Sequence, residues 1–147
     1  MQKYFWLFFI LGFLLSCQKE LASNTWSEDW VSVTTLAQET QKPILINFTG
    51  SDWCVWCKRL DKEVFSQKTF QQYAQDNLIL FKADFPSKIP QSKEIKDQNA
   101  SLQKKYKIKG YPTIMLVNAE GEVIARTGYQ KGGASAYVRH LESLLTK

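Results

Sequence analysis

The chain has 147 residues, 44% of them apolar, and a formal net charge of +5 from 19 basic against 14 acidic side chains. That length and composition suit one domain with one core, and no internal repeat or low-complexity tract points to an array. The charge excess is mild and spread along the chain, with no groove-reading motif beside it, so nucleic-acid binding is not expected.

At the N-terminus, Met1-Gln2-Lys3 precedes an apolar run from Tyr4 to Leu15. The run is well short of the ~20 residues that a spanning helix needs. With its short positive start it reads as a secretory signal over residues 1–16. Leu14-Leu15-Ser16-Cys17 resembles the bacterial lipoprotein signal, although Leu15 is bulkier than the residue usual at its position. Acylation of Cys17 is therefore expected, with ordinary cleavage a few residues later as the alternative. Residues 17–27 then form a tether and 28–147 the folded domain. On either reading the domain works in the periplasm, where dithiols meet oxidising conditions, and an acylated Cys17 would hold it at a membrane surface.

From Glu28 to Thr40, the residues Trp30, Val33, Leu36 and Ala37 recur at helical spacing, which predicts an amphipathic helix ended by Pro43. Ile44 to Phe48 is a short apolar run, as expected of a buried central strand. Thr49-Gly50-Ser51-Asp52 makes a turn, and Cys57, Leu60 and Val64 then mark the buried face of a helix that starts at Cys54. Ser66 is the expected N-cap of a segment carrying Phe70, Tyr73 and Ala74. Leu78 to Asp84 reads as the next strand. A polar stretch with Pro86 and Pro90 runs to about Lys96, ahead of a helix with Leu102 and Tyr106. Gly110-Tyr111-Pro112 breaks the chain before strands at Thr113–Val117 and Val123–Arg126. Asn118-Ala119-Glu120-Gly121 between them has hairpin chemistry, so the two strands should be antiparallel. Tyr137, Leu141, Leu144 and Leu145 give the apolar face of a final helix. This order predicts an α/β fold, a mixed sheet covered by helices on both faces.

Cys54 and Cys57 are the cysteines of the globular part, spaced C-x-x-C at a helix start. Such a pair can cycle between dithiol and disulfide, form half of a zinc site, or stay a static bridge. A zinc site usually needs four ligands, and His140 is the sole histidine, so no metal is expected. A static bridge across so short a ring would restrain little of the unfolded chain.

The strand Ile44–Phe48, the W-C-x-x-C-K of residues 53–58, the G-Y-P-T of 110–113 some 55 residues downstream, the hairpin with Gly121, Gly128 and the closing helix resemble the thioredoxin family in order and spacing. The resemblance spans about residues 28–146. Asp52 to Lys58, with Phe65-Ser66, looks most like the exported bacterial reductases of the DsbH and DsbD C-terminal-domain kinds. It implies a thioredoxin-like fold and thiol–disulfide exchange at Cys54 and Cys57, with no cofactor. It also implies a cis bond before Pro112 that places Tyr111 beside Cys54, and substrate contacts around Trp53, Trp56, Tyr111 and Pro112. For Trp56 a bland packing role is equally open. The implied partners are disulfide-bearing exported proteins and a membrane electron donor of the DsbD type; a monomer is expected.

The residues argue the roles further. Unpaired N–H groups and the helix dipole favour a thiolate at Cys54, the expected nucleophile, and Cys57 one turn on would resolve the mixed disulfide. Val55 and Trp56 bring no charge between the cysteines, and Lys58 and Arg59 are expected to point to solvent, partly offset by Asp52. A middling to low potential follows, hence a reductase; a dithiol oxidase or isomerase is the alternative, and a peptide-binding or chaperone module the alternative of another class. Asn47 stands where thioredoxins carry a buried aspartate thought to deprotonate the second cysteine, so water or a group such as Lys82 must do that work. His140 is expected to be a satisfied surface histidine, Trp26 and Trp30 to pack in the core, and Pro86–Gln98 to be either a specificity loop or a solvated insertion.

Overall fold

The computed structural model describes residues 25–146; the signal segment 1–16, Cys17 and most of the tether lie outside the described residues. Its sheet is built from β1 (Ile44–Thr49), β2 (Ile79–Asp84), β3 (Thr113–Val117) and β4 (Val123–Thr127). The spatial order is β2-β1-β3-β4. β1 runs parallel to β2, with Ile44 opposite Ile79, and antiparallel to β3, with Ile44 opposite Val117. The β3–β4 pair is an antiparallel hairpin with a bulge between Leu116 and Val117. Asn118 shapes it: its Oδ1 accepts the N–H groups of Glu120 (3.1 Å) and Glu122 (2.8 Å), and Gly121 takes φ +78°.

Five helices cover the sheet: α1 (Trp30–Thr40), α2 (Val55–Leu60), α3 (Lys68–Asn77), α4 (Lys93–Lys105) and α5 (Gly133–Leu145). All six residues of β1 are buried, as a central strand requires. Alternation along β1 sorts the core into two layers. Ile44, Ile46 and Phe48 pack with Val33 and Ala37 of α1 and with Leu102 and Tyr106 from α4 and its end. Leu45 faces the other way, with Leu60, Phe70, Tyr137 and Leu141.

Several boundaries differ from the sequence expectation. α1 stops at Gln41, which takes φ +57° and donates its N–H to the Ala37 carbonyl (2.7 Å), so the helix is closed two residues before Pro43. After α2 the helix continues through a π-turn over Asp61–Phe65. Ser66 therefore closes that turn, N–H to the Asp61 carbonyl (2.9 Å) and hydroxyl to Asp61 Oδ2 (3.2 Å), and Gln67 is the N-cap of α3. α4 begins at Lys93, capped by Ser92, earlier than the polar stretch suggested. Trp26 and Ser27, assigned to the tether from the sequence, join the fold. Trp26 packs on Phe65 at 4.9 Å, and Ser27 bonds to Leu80 and Lys82 along the outer edge of β2. Among the described residues no helix is long and apolar enough to cross a membrane.

Candidate active site

Cys54 follows the turn that leaves β1 and is the N-cap of α2, with φ −78° and ψ 108°. Its Sγ accepts the backbone N–H of Cys57 at 3.2 Å. The two cysteines are joined in a disulfide with Cα atoms 5.2 Å apart. Cys57 shares the buried face of α2 with Leu60. The sulfurs are sheltered, Cys54 being 6% and Cys57 5% exposed, whereas Val55 between them is 74% and Trp56 50% exposed. An oxidised pair at a helix start, screened but at the surface, is a site for sulfur exchange.

The residues before Cys54 hang from the end of β2. Asp84 accepts the Ser51 N–H at Oδ1 (2.9 Å) and the Ser51 hydroxyl at Oδ2 (2.5 Å), while its own carbonyl accepts Asn99 Nδ2 (2.9 Å). Trp53 donates Nε1–H to the Phe85 carbonyl (2.8 Å). Its indole lies over Gly50, where an added Cβ would stand 2.4 Å from Cε2. Asp52 accepts backbone N–H groups from Ser87, Lys88 and Ile89; the bond from Ser87 comes first in holding its carboxyl below the usual value. Lys58 donates Nζ to the Asp52 carbonyl (2.9 Å).

The Tyr111–Pro112 bond is cis. The ring partners of Tyr111 are Trp53 (5.8 Å) and Phe85 (5.2 Å), and its hydroxyl accepts Gln103 Nε2 (2.7 Å). Burial pushes the Tyr111 phenol up. Trp56 lies 5.2 Å from Tyr129, with the Arg59 guanidinium about equally over both rings, at 5.4 and 5.5 Å. Glu63 on the π-turn accepts the Tyr129 hydroxyl (2.6 Å) and Arg59 Nε (2.7 Å), and these bonds, Tyr129 first, hold its carboxyl below the usual value. Lys58 and Arg59 are both exposed, as expected from the sequence, and their head groups are bonded to the Asp52 carbonyl and to Glu63.

Asn47 lies on the same face of β1 as Leu45, and its Oδ1 is buried without a hydrogen-bond partner. Lys82, its neighbour across the β1–β2 register, is paired with Glu28 (Nζ to Oε1, 2.9 Å). His140 bonds Thr127 Oγ1 at 2.8 Å and is satisfied. Trp26 and Trp30 pack on Phe65 and Phe81. No group of metal-ligating side chains occurs among the described residues. The sequence reading missed Asp84, Asn99, Glu63 and Tyr129. The signal for Asp84 was an acid closing an apolar strand, where a turn hydroxyl such as Ser51 can reach it.

The family described as "Thioredoxin-like domain" matches residues 32–142. A Chlamydia pneumoniae protein named disulfide bond reductase DsbH is 35% identical over 124 residues, 84% of this chain and 75% of the relative. DsbD of Yersinia enterocolitica, a thiol:disulfide interchange protein, is 34% identical over 112 residues, which span 74% of this chain but 18% of that much longer protein. A solved structure titled DsbH oxidoreductase superposes with TM-score 0.81 at 34% identity, covering 85% of this chain and 86% of the other.

Proposed function

Since the chain belongs to the thioredoxin-like domain family and is a thiol–disulfide oxidoreductase, we propose that it works as a reductase of disulfides in exported proteins, with Cys54 as nucleophile and Cys57 as resolving thiol. In the reduced enzyme the Cys54 thiolate attacks a substrate disulfide, forms a mixed disulfide and expels one substrate thiolate. Cys57 then gives up its proton and attacks Cys54 Sγ. The mixed disulfide breaks, the second substrate thiolate leaves, and two electrons have passed from enzyme to substrate. The observation that carries this reading is the N-cap geometry of Cys54, whose sulfur receives the Cys57 N–H at 3.2 Å. A thiolate accepts that bond far better than a disulfide sulfur does. Cys57 is buried behind it and reaches the sulfur only from within.

The direction rests on the charge around the pair. Val55 and Trp56 add none, Arg59 is paired with Glu63, and Lys58 is turned onto a backbone carbonyl. A thiolate with no dedicated cation leaves the dithiol a good electron donor. Trp53, Trp56, Tyr111 and cis-Pro112 are the proposed substrate contacts: the two tryptophans neighbour the cysteines in the chain, and Tyr111 packs on Trp53. Export by residues 1–16, acylation of Cys17 and re-reduction by a membrane donor of the DsbD type complete the proposal; the intact mass of the protein recovered from cells tests the acylation. The reaction is tested by two variants. Cys57→Ser should accumulate a mixed disulfide with substrate, and Cys54→Ser should lose turnover entirely. Turnover that survives Cys54→Ser would overturn the reading in favour of a binding module.

A further inference from the structure

The segment between β2 and α4 plays no part in the exchange steps above, yet three consecutive residues before Cys54 are tied to it or to the strand end that carries it. Ser51 is bonded to Asp84 and Trp53 to the Phe85 carbonyl. Asp52 makes the densest tie. Its Oδ1 accepts Ser87 N–H (2.9 Å), and its Oδ2 accepts Ser87 (3.1 Å), Lys88 (2.6 Å) and Ile89 (3.3 Å). Three successive amides converging on one carboxylate fix the path of that backbone, and an ionised acceptor makes each bond stronger than a neutral one would. Ordering a segment that is neither helix nor strand is opposed by backbone entropy, so such a tie needs a reason.

The reason lies in what the tie brings to the dithiol. Among the described residues, seven large apolar side chains are exposed, and four of them, Trp53, Val55, Trp56 and Ile89, belong to the C-x-x-C loop or to the segment Asp52 holds. Ile89 is 54% exposed although its N–H is anchored two residues before Cys54. We propose that Asp52 is a positioning residue which holds residues 85–89 as an apolar wall beside the C-x-x-C loop, so that the enzyme prefers disulfides carried on an apolar polypeptide segment to small soluble disulfides. This rests on the reductase reading of the site.

Full-length wild type, Asp52→Ala and Asp52→Asn are compared on reduction of a polypeptide substrate, disulfide-bonded insulin, and of oxidised glutathione. Asp52→Ala should raise KM for insulin roughly tenfold with kcat held, the scale of losing charge-assisted bonds, and should change glutathione reduction much less. Asp52→Asn, which keeps a carbonyl acceptor, should recover part of the loss. Ile89→Ser, which alters an exposed side chain of the wall without touching the clamp, should raise KM for insulin in the same direction. Equal losses on both substrates, a loss confined to kcat, or no loss in either Asp52→Ala or Ile89→Ser would overturn the proposal. A wild type inactive on both substrates would instead overturn the reductase reading itself.

Discussion

Asn47 carries the buried side-chain oxygen that has no partner among the described residues. An amide there avoids the cost of a buried carboxylate but offers no base to Cys57. Asn47→Asp should therefore separate stability from chemistry. Burial raises the new carboxyl's folded pKa above its unfolded value, since the neighbouring Lys82 is already paired with Glu28. The protein is then less penalised in acid, and stability falls as pH rises through the unfolded and then the folded value. Urea denaturation should show the variant closest to wild type at about pH 4, around the unfolded carboxyl's own value, and about 1–3 kcal/mol weaker near pH 8. If the carboxylate serves as a proton acceptor, stopped-flow release of reduced substrate should quicken over the same range. At this scale the cysteines were legible in the sequence because their relation is local, one helical turn. The Asp52 clamp was not, since its partners are backbone N–H groups 35 to 37 residues away, and a backbone amide has no residue identity to read.

Among the elements, the strands and the helices with a clean apolar stripe followed from periodicity, and β1 above all, because a central strand buried on both faces has little choice of residue. The π-turn did not, since Cys57, Leu60 and Val64 keep helical spacing whether or not one residue is looped out. That turn places Glu63 under Tyr129, and the pairing has a pH signature. The Glu63 carboxyl titrates below its ordinary 4.5, chiefly through the Tyr129 hydroxyl. Its stabilising contribution is therefore complete above that ordinary value and is lost as pH falls through the depressed one. Near-UV circular dichroism of Trp56 should hold steady from neutrality down to about pH 5 and change only in stronger acid. In Tyr129→Phe the change should begin at higher pH. The turn before Cys54 is equally exacting. An alanine at Gly50 would put its Cβ 2.4 Å from the Trp53 ring, so Gly50→Ala should displace the indole from the Phe85 carbonyl. A stability loss of about 1–3 kcal/mol and a red-shifted tryptophan emission are expected.

For the molecule as a whole, the sheet divides the core into a layer under α1 and α4 and a layer shared by α2, α3 and α5. Leu141→Ala, deep in the second layer, should cost about 2–5 kcal/mol in thermal or urea unfolding. Because it touches neither sulfur nor the clamps, the loss should be the same in oxidised and reduced protein. The architecture was legible in the sequence because the order of strands, hairpin and closing helix matches one family. The attachment of Trp26 and Ser27 to the edge of β2 was not, as two residues carry no period.

The disulfide joins residues three apart, and the loop before it is held by Asp84, Phe85 and the amides of residues 87–89 rather than by the sulfur bond. So short a cross-link leaves the unfolded chain almost as free as its dithiol form. Folded and unfolded, oxidised and reduced then make a closed thermodynamic square. The difference in unfolding free energy between the two redox forms must equal the difference in reduction free energy between the folded pair and the same pair in an unstructured chain, with about 30 mV for each 1.4 kcal/mol. A reductase requires the oxidised form to be the harder to unfold, and an oxidant the reverse. Two urea curves, recorded with no substrate and no electron donor present, therefore read which way the electrons prefer to run.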